Sequence, residues 1–348
     1  MKILLLGGTG FIGPHVVRHL VSAGHEAAVL SRGKRRVDLP SGVLTVVGDY
    51  HNLPELPSEL RGIFAGAPPD VVLDMIPMTE RDARNALDVF SGFARRIVAA
   101  SSGDVYRAWG YGFGLEAQPC DPRITEDSPL RESRFPYRGR GIPIAVDWEL
   151  EDYDKILVER VFQSDPALPA TILRLPMIYG PGDYAHRAFP YLKRMDDGRR
   201  VIPIEEAALR WRGPWGYVED VAAAIALAVT NDTAAGRVYN VAESDHRSVA
   251  EFIAGIAEAV GWTGRVVGLP PGTLAGLWNA YKVEQQLLID SSRIRLELGY
   301  RETTPRAEAM RRTIAWERAN PPDPISARMF DYAAEDRALA QYQSATSP

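Results

Sequence analysis

The sequence predicts an α/β fold, a doubly wound parallel sheet with a smaller C-terminal α/β lobe. Three observations carry this. The apolar run Lys2-Ile3-Leu4-Leu5-Leu6 leads straight into Gly7-Gly8-Thr9-Gly10-Phe11-Ile12-Gly13. A stretch from Pro14 to Ala23 follows with Val16, Val17, Leu20 and Val21 at helical spacing. Strand and helix signals then alternate through the first half, the order that builds a parallel sheet covered on both faces.

The first strand, glycine turn and helix form a dinucleotide-binding fingerprint of the Rossmann type. Gly7 permits the tight turn, Gly10 lets the backbone approach a pyrophosphate, and Gly13 allows close packing of helix and strand. The helix N-terminus then presents free N–H groups and a positive dipole end to phosphate. Ala27 to Leu30 is read as the second strand and Val43 to Val47 as the third, ending at Gly48-Asp49. Asp70 to Met75 is the fourth, after the breaker Pro68-Pro69, and Arg96 to Ala100 the fifth, ending at Ser101-Ser102. Between these last two, Arg81 to Phe93 reads as a helix. Residues 107–145 carry little periodicity and much Gly, Pro and Arg, the composition of a long functional loop. Trp148 to Phe162 returns as a helix, followed by a strand at Ala170 to Arg174.

Beyond residue 175 the pattern is mixed. Helices are expected at Phe189 to Met195, Val221 to Val229 and Val249 to Val260, the last closed by Gly261. Strands are expected at Val238 to Val241 and Arg265 to Leu269. The domain reading is 1–175 for the nucleotide-binding domain and 176–319 for a substrate lobe whose strand near 238–241 returns to the sheet. Residues 320–348 open on Asn320-Pro321-Pro322, hold few large apolar residues, and read as a surface-packed or partly mobile tail.

Bulk properties narrow the partners. The chain has 348 residues, 46% hydrophobic and 24% charged, and a net charge of −5 without a long basic run, so nucleic acid is not the default ligand. The lone cysteine, Cys120, excludes an internal disulfide. The N-terminal apolar run stops at Leu6, too short for a signal-peptide core, and no run approaches a membrane span, so a cytoplasmic protein with a small-molecule substrate is expected. His15 and His19, four apart on the first helix, lack a third ligand in reach, and the acids Asp147, Glu149, Glu151, Asp152 and Asp154 fit no metal spacing, so no metal is expected.

The cofactor's identity is read after the second strand. An NAD site of this fold usually has an acid about 20 residues past the last glycine. Here Ser31 holds that place and Arg32, Lys34, Arg35 and Arg36 follow. A carboxylate repels a 2′-phosphate and a guanidinium clamps one, so NADP is favoured, with NAD as the alternative.

Taken together, these motifs resemble the extended and atypical short-chain dehydrogenase/reductase family, of the NAD(P)-dependent epimerase/dehydratase type. The resemblance runs from residue 1 to about 316. It rests on Gly7 to Gly13, Gly48-Asp49, Ser101-Ser102 with Val105-Tyr106, Lys155 with Glu159, Arg174 through Gly182, Val218 to Val221, Tyr239 to Val241, Leu298-Gly299-Tyr300 and Trp316. Leu30 to Lys34 and Ile124 to Leu130 look like the branch that includes chloroplast stem-loop-binding-type proteins, some of whose members have altered catalytic residues.

The resemblance implies hydride transfer at a carbonyl carbon of a sugar-like substrate, a nucleotide-sugar among the candidates. It would place Gly7, Thr9, Gly10, Phe11, Ile12 and Gly13 at the cofactor, with Ser31, Arg32, Lys34, Asp49, Tyr50, Asp74, Ile76, Lys155, Pro176 and Met177. It would set Ser102 to polarise the substrate oxygen and Lys155 to hold the ribose, with Asp104, Tyr106, Arg187 and Arg212 on the substrate.

The family's tyrosine, four residues before the lysine, falls on Glu151. Three readings stay open. In the first, Tyr153 carries the proton, although on a regular helix it points roughly 200° away from Lys155. In the second, Glu151, Tyr111 or Tyr137 supplies it. In the third, redox chemistry has been lost, leaving a cofactor-binding regulator or an RNA-associated scaffold. The resemblance also implies a homodimer through Arg81–Phe93 and Trp148–Phe162.

Overall fold

Short, continuously apolar runs become the strands of a sheet covered on both faces. In the computed structural model, which describes residues 1–34, 37–140, 150–274 and 282–346, the strands are β1 (Lys2–Leu6), β2 (Glu26–Ser31), β3 (Leu44–Val47), β4 (Val71–Asp74) and β5 (Arg96–Ser102). There follow β6 (Arg123–Ile124), β7 (Ala170–Leu175), β8 (Met177–Tyr179), β9 (Val201–Glu205), β10 (Trp215–Tyr217), β11 (Val238–Asn240), β12 (Arg265–Leu269) and β13 (Leu288–Ile289).

Seven of them form one parallel sheet in the order β11-β7-β5-β4-β1-β2-β3. The chain winds outwards in opposite directions from β1, so β1 and β4 flank the point where strand order reverses, the place where such sheets bind ligands. Because every strand is parallel, the residues after β1, β2, β4, β5 and β7 all emerge at one edge. Ile3, Leu5, Val29, Leu73 and Val98 pack beneath one face and Leu4, Leu6, Leu30, Val72 and Ile97 beneath the other, as alternation along a strand requires.

The remaining strands make three parallel pairs: β10 with β8, β12 with β9, and β13 with β6. The second half is not segregated. β11 returns to the main sheet beside β7, and helix Val218–Thr230 packs on helix Gly13–Ser22. Helix Val249–Val260 matches the sequence reading at both ends: Ser248 and Glu251 form a capping box, and Gly261 ends it at φ +66°.

Two expected helix bounds need correction. Helix Glu80–Phe90 stops at Phe90 rather than Phe93, with Gly92 turning the chain at φ +70°. The helix expected from Trp148 starts at Lys155, because the Asp154 carboxylate accepts the Ile156 N–H and caps it there. Trp148, Asp147 and Glu149 lie outside the described residues, as do Arg35 and Arg36. The C-terminal tail contains helix Tyr332–Thr346, which docks by burying Leu339, Ala338 and Glu335. Among the described residues no helix is long and apolar enough to cross a membrane.

Candidate functional site

The glycine turn is shaped for a close-approaching ligand. Gly7 takes φ +86°, and a Cβ there would meet Ile76 at 2.8 Å, so the turns after β1 and β4 abut across the switch point. A Cβ on Gly13 would lie 2.4 Å from the Gly8 backbone, which leaves that position no alternative to glycine. The close approach predicted for Gly13 is therefore to the turn itself. A Cβ on Gly10 would meet only the Gly7 carbonyl oxygen, at 3.6 Å, which leaves an open backbone face for a pyrophosphate. These features fit a dinucleotide. Phe11 closes the far side, packed against Gly182 and edge-on to Tyr184 with ring centroids 6.0 Å apart. Ile12 directly precedes helix Gly13–Ser22.

At the end of β2, Ser31 is half-buried and Arg32 and Lys34 are exposed. Asp49 accepts the His51 N–H at 3.1 Å and caps a short turn. Tyr50 and Asp74 face inwards: the Tyr50 hydroxyl donates to Asp74 Oδ2 at 2.6 Å, and both residues are buried. The two side chains expected at the cofactor are thus engaged with each other in the interior. Burial pushes the Asp74 carboxyl up to about 7, against the opposing hydrogen bonds from Tyr50 and the Ile76 N–H and the positive charge of Lys155.

Lys155 occupies the first helical position after its Asp154 cap and is 4% exposed. Its Nζ donates to the carbonyls of Pro77 at 2.7 Å and Ala100 at 2.9 Å, tying the ends of β4 and β5 together. Burial pulls its ammonium down to about 8, while Asp74 and Asp104 pull the other way. With the helix starting at 155, Glu151 lies outside it and shares no helix face with Lys155. Glu151 is exposed and accepts the Gly139 N–H at 3.1 Å.

The non-helical segment before Lys155 brings Tyr153 inwards, bridged to Thr79. The Tyr153 hydroxyl donates to Asp104 Oδ2 at 2.7 Å, and Tyr137 donates to the same oxygen at 3.0 Å. Asp104 sits in the short turn directly after β5, its N–H donating to Ser102 Oγ at 3.2 Å. Among the described residues no acceptor takes the Ser102 proton, so it can be donated to a ligand. Tyr111, by contrast, is tied to Glu284 on the outside of the long loop.

Asp82 and Arg131 are the neighbours that motif reading missed. Asp82 accepts the Met78 and Thr79 N–H groups at 3.2 and 2.9 Å, holding the backbone to which Lys155 bonds; its signal was the capping pattern Thr79-x-x-Asp82. Arg131, 1% exposed, donates to the Asp104 carbonyl and lies 3.6 Å from Asp154. No local pattern marks it.

Three residues expected at the substrate are engaged within the protein. Tyr106 is fully buried, donating to Asn240 at 2.6 Å and accepting from Arg174 at 2.9 Å, so it braces β5, β7 and β11. Arg187 folds onto Asp183 and the Ile178 carbonyl. Arg212 pairs with Glu251 and the His246 carbonyl. Pro176 packs against Gly216, and Met177 pairs in register with Trp215. Among the described residues no group of His, Cys, Asp or Glu could hold a metal ion.

The sequence model of the NAD dependent epimerase/dehydratase family matches residues 3–138 and 143–242. The 2′-dehydrokanamycin reductase of Streptomyces kanamyceticus is 25% identical over 301 residues, spanning 84% of this chain and 75% of that protein. The chloroplast stem-loop binding protein of 41 kDa b of Arabidopsis thaliana is 26% identical over 253 residues, 69% of this chain and 58% of that one. The solved UDP-glucose 4-epimerase of Thermus thermophilus in complex with NAD superposes with a TM-score of 0.65 at 22% identity, covering 92% of this chain and 100% of that one.

Proposed function

The chain belongs to the NAD dependent epimerase/dehydratase family, and from that premise we propose that it catalyses NAD(P)-dependent redox chemistry at a hydroxyl- or carbonyl-bearing carbon of a sugar-like small molecule. The observation that carries this reading is the convergence of Ser102, Lys155, Tyr153 and Asp104 at the sheet edge that also bears the glycine turn. When bound, the nicotinamide supplies or accepts the hydride. The turn from Gly7 to Gly13 holds the pyrophosphate, and Lys155, already a double hydrogen-bond donor, is the group to meet the nicotinamide ribose. Ser102 donates to the substrate oxygen, and the Tyr153–Asp104 pair is the adjoining proton store.

The reductase relative acts, by its name, on a dehydro-kanamycin, which supports a sugar-like carbonyl as substrate. Arg187 and Arg212 are already paired with acids, so a nucleotide diphosphate has no support from them. NADP(H) is the preferred cofactor, on the strength of exposed Arg32 and Lys34 and the absence of an acid at Ser31.

Hydride exchange from tritiated NADPH across a panel of keto-sugars, free and nucleotide-linked, tests the reading. Tritium transfer to a carbonyl carbon is the expected result. Tight cofactor binding without transfer to any member would instead favour a binding module, the role to which the absence of tyrosine at position 151 and the likeness to a stem-loop binding protein point.

A further inference from the structure

The proton-carrying group of this site need not be a tyrosine. Asp104 is 4% exposed, and its two carboxylate oxygens are treated differently. Oδ2 accepts from both Tyr153 and Tyr137, at 2.7 and 3.0 Å. Oδ1 is buried and has no hydrogen-bond partner among the described residues. A buried carboxylate oxygen without a donor is costly to leave unpaired, so an orphan next to two donors on its twin indicates a position kept for a proton.

The tyrosines are in the wrong electrostatic setting to do this task. A tyrosine accepts a proton only as phenolate. Burial and the adjoining Asp104 carboxylate both push the Tyr153 hydroxyl well above its ordinary range. The rings of Tyr137 and Tyr153 lie 4.9 Å apart, and Trp109 and Phe113 pack around Tyr137, so the two hydroxyls are held as fixed donors.

We propose that Asp104 is the proton-holding residue of this site, with Oδ1 as the atom that takes or gives the proton and with Tyr153 and Tyr137 as positioning residues on Oδ2. The proposal rests on the redox reading above. In the oxidative direction the substrate O–H bond breaks and an Oδ1–H bond forms, turning a carboxylate into a neutral acid and the substrate oxygen into an alkoxide. The alkoxide then forms the C=O bond as its C–H electron pair leaves as hydride to the oxidised dinucleotide, and reduction runs the same balance backwards. The charged groups facing Asp104 are Arg131 and Lys155, with Asp154 beyond Arg131. Burial raises the Asp104 carboxyl, against the lowering effects of Arg131 and the two tyrosine hydrogen bonds. That moves a carboxyl towards the working range of a general base.

Two measurements on the full chain test this. The first needs no cofactor: ¹³C NMR titration of protein labelled at the Asp carboxyl carbon, with Asp104→Asn for assignment. The expected result is an Asp104 signal titrating above the ordinary Asp range and moving higher still in Tyr153→Phe and Tyr137→Phe, because each hydroxyl stabilises the carboxylate. An Asp104 signal titrating at the ordinary value, or one indifferent to both substitutions, overturns the proposal. The second is the pH profile of kcat/KM with any substrate that the hydride-exchange panel yields. Asp104→Asn should fall by about 10²–10⁴-fold, the usual contribution of a general base, and lose the acidic limb. Each Tyr→Phe variant should shift that limb upwards with a loss of under about tenfold. Abolition by Tyr153→Phe with Asp104→Asn active and its limb unmoved makes Tyr153 the carrier and overturns the proposal. If the wild-type protein exchanges no hydride while the NMR shifts appear, the redox reading fails and the proton-holding carboxyl stands.

Discussion

Among individual residues, the site concentrates buried charge at the ends of β4 and β5. Asp74 offers a stability test. Its carboxyl is raised from 3.8 to about 7 in the folded chain, so the folded state holds a proton that the unfolded state releases. The associated stability is complete below about pH 4 and is lost as pH rises towards 7. Asp74→Asn keeps the site neutral throughout, so its melting temperature should vary less between about pH 4 and 7 than that of the wild type, by differential scanning calorimetry. A second residue test concerns cofactor choice. Arg32→Ala should weaken NADPH binding about tenfold, the equivalent of one charge-assisted hydrogen bond, and leave NADH unchanged in isothermal titration. Equal losses for both cofactors would remove the 2′-phosphate reading. Ser31, Arg32 and Lys34 can be nominated from sequence because their place is counted from the glycine turn. Tyr50 and Asp74 cannot be read as an interior pair, since spacing says nothing of which way the two side chains face.

The elements show where local rules suffice. Helix Val249–Val260 is legible to the residue because Ser248, Glu251 and Gly261 signal its ends. Sequence alone starts the helix before β7 at Trp148 rather than Lys155, because several acids look like a helical first turn, whereas the cap is made by Asp154. The C-terminal helix escapes sequence reading for a different reason. Its anchor is ionic: Glu335 accepts from Arg194 at 2.6 Å, with both side chains fully buried. Apolar periodicity cannot report such a contact. Glu335→Ala leaves the Arg194 guanidinium buried without its carboxylate, and should cost about 3–5 kcal/mol, read as a lower midpoint in urea unfolding. The double variant Arg194→Met with Glu335→Leu should recover most of that loss, since an apolar pair needs no compensating charge.

Over the whole molecule, the parallel sheet gathers the ends of β1, β2, β4, β5 and β7 at one edge, and cofactor binding there should couple to global stability. A saturating ligand that binds only the folded chain adds about 2.7 kcal/mol at about one hundred times its Kd. NADPH should therefore raise the melting temperature of the wild type and of Asp104→Asn alike, as the pyrophosphate cradle lies in the turn after β1. Failure in both would count against the glycine turn as a dinucleotide site. The parallel sheet, the glycine turn and the family can all be read from the order of residues, because each is written in contiguous stretches whose periodicity and φ requirements are local. Which acid meets which tyrosine is a product of packing. Asp104 lies 33 residues from Tyr137 and 49 from Tyr153, and the intervening loop carries no repeating pattern to place them. Their meeting follows from where the packed elements leave the loop ends, with the helix starting at Lys155 and the turn following β5, a long-range outcome that no local spacing encodes.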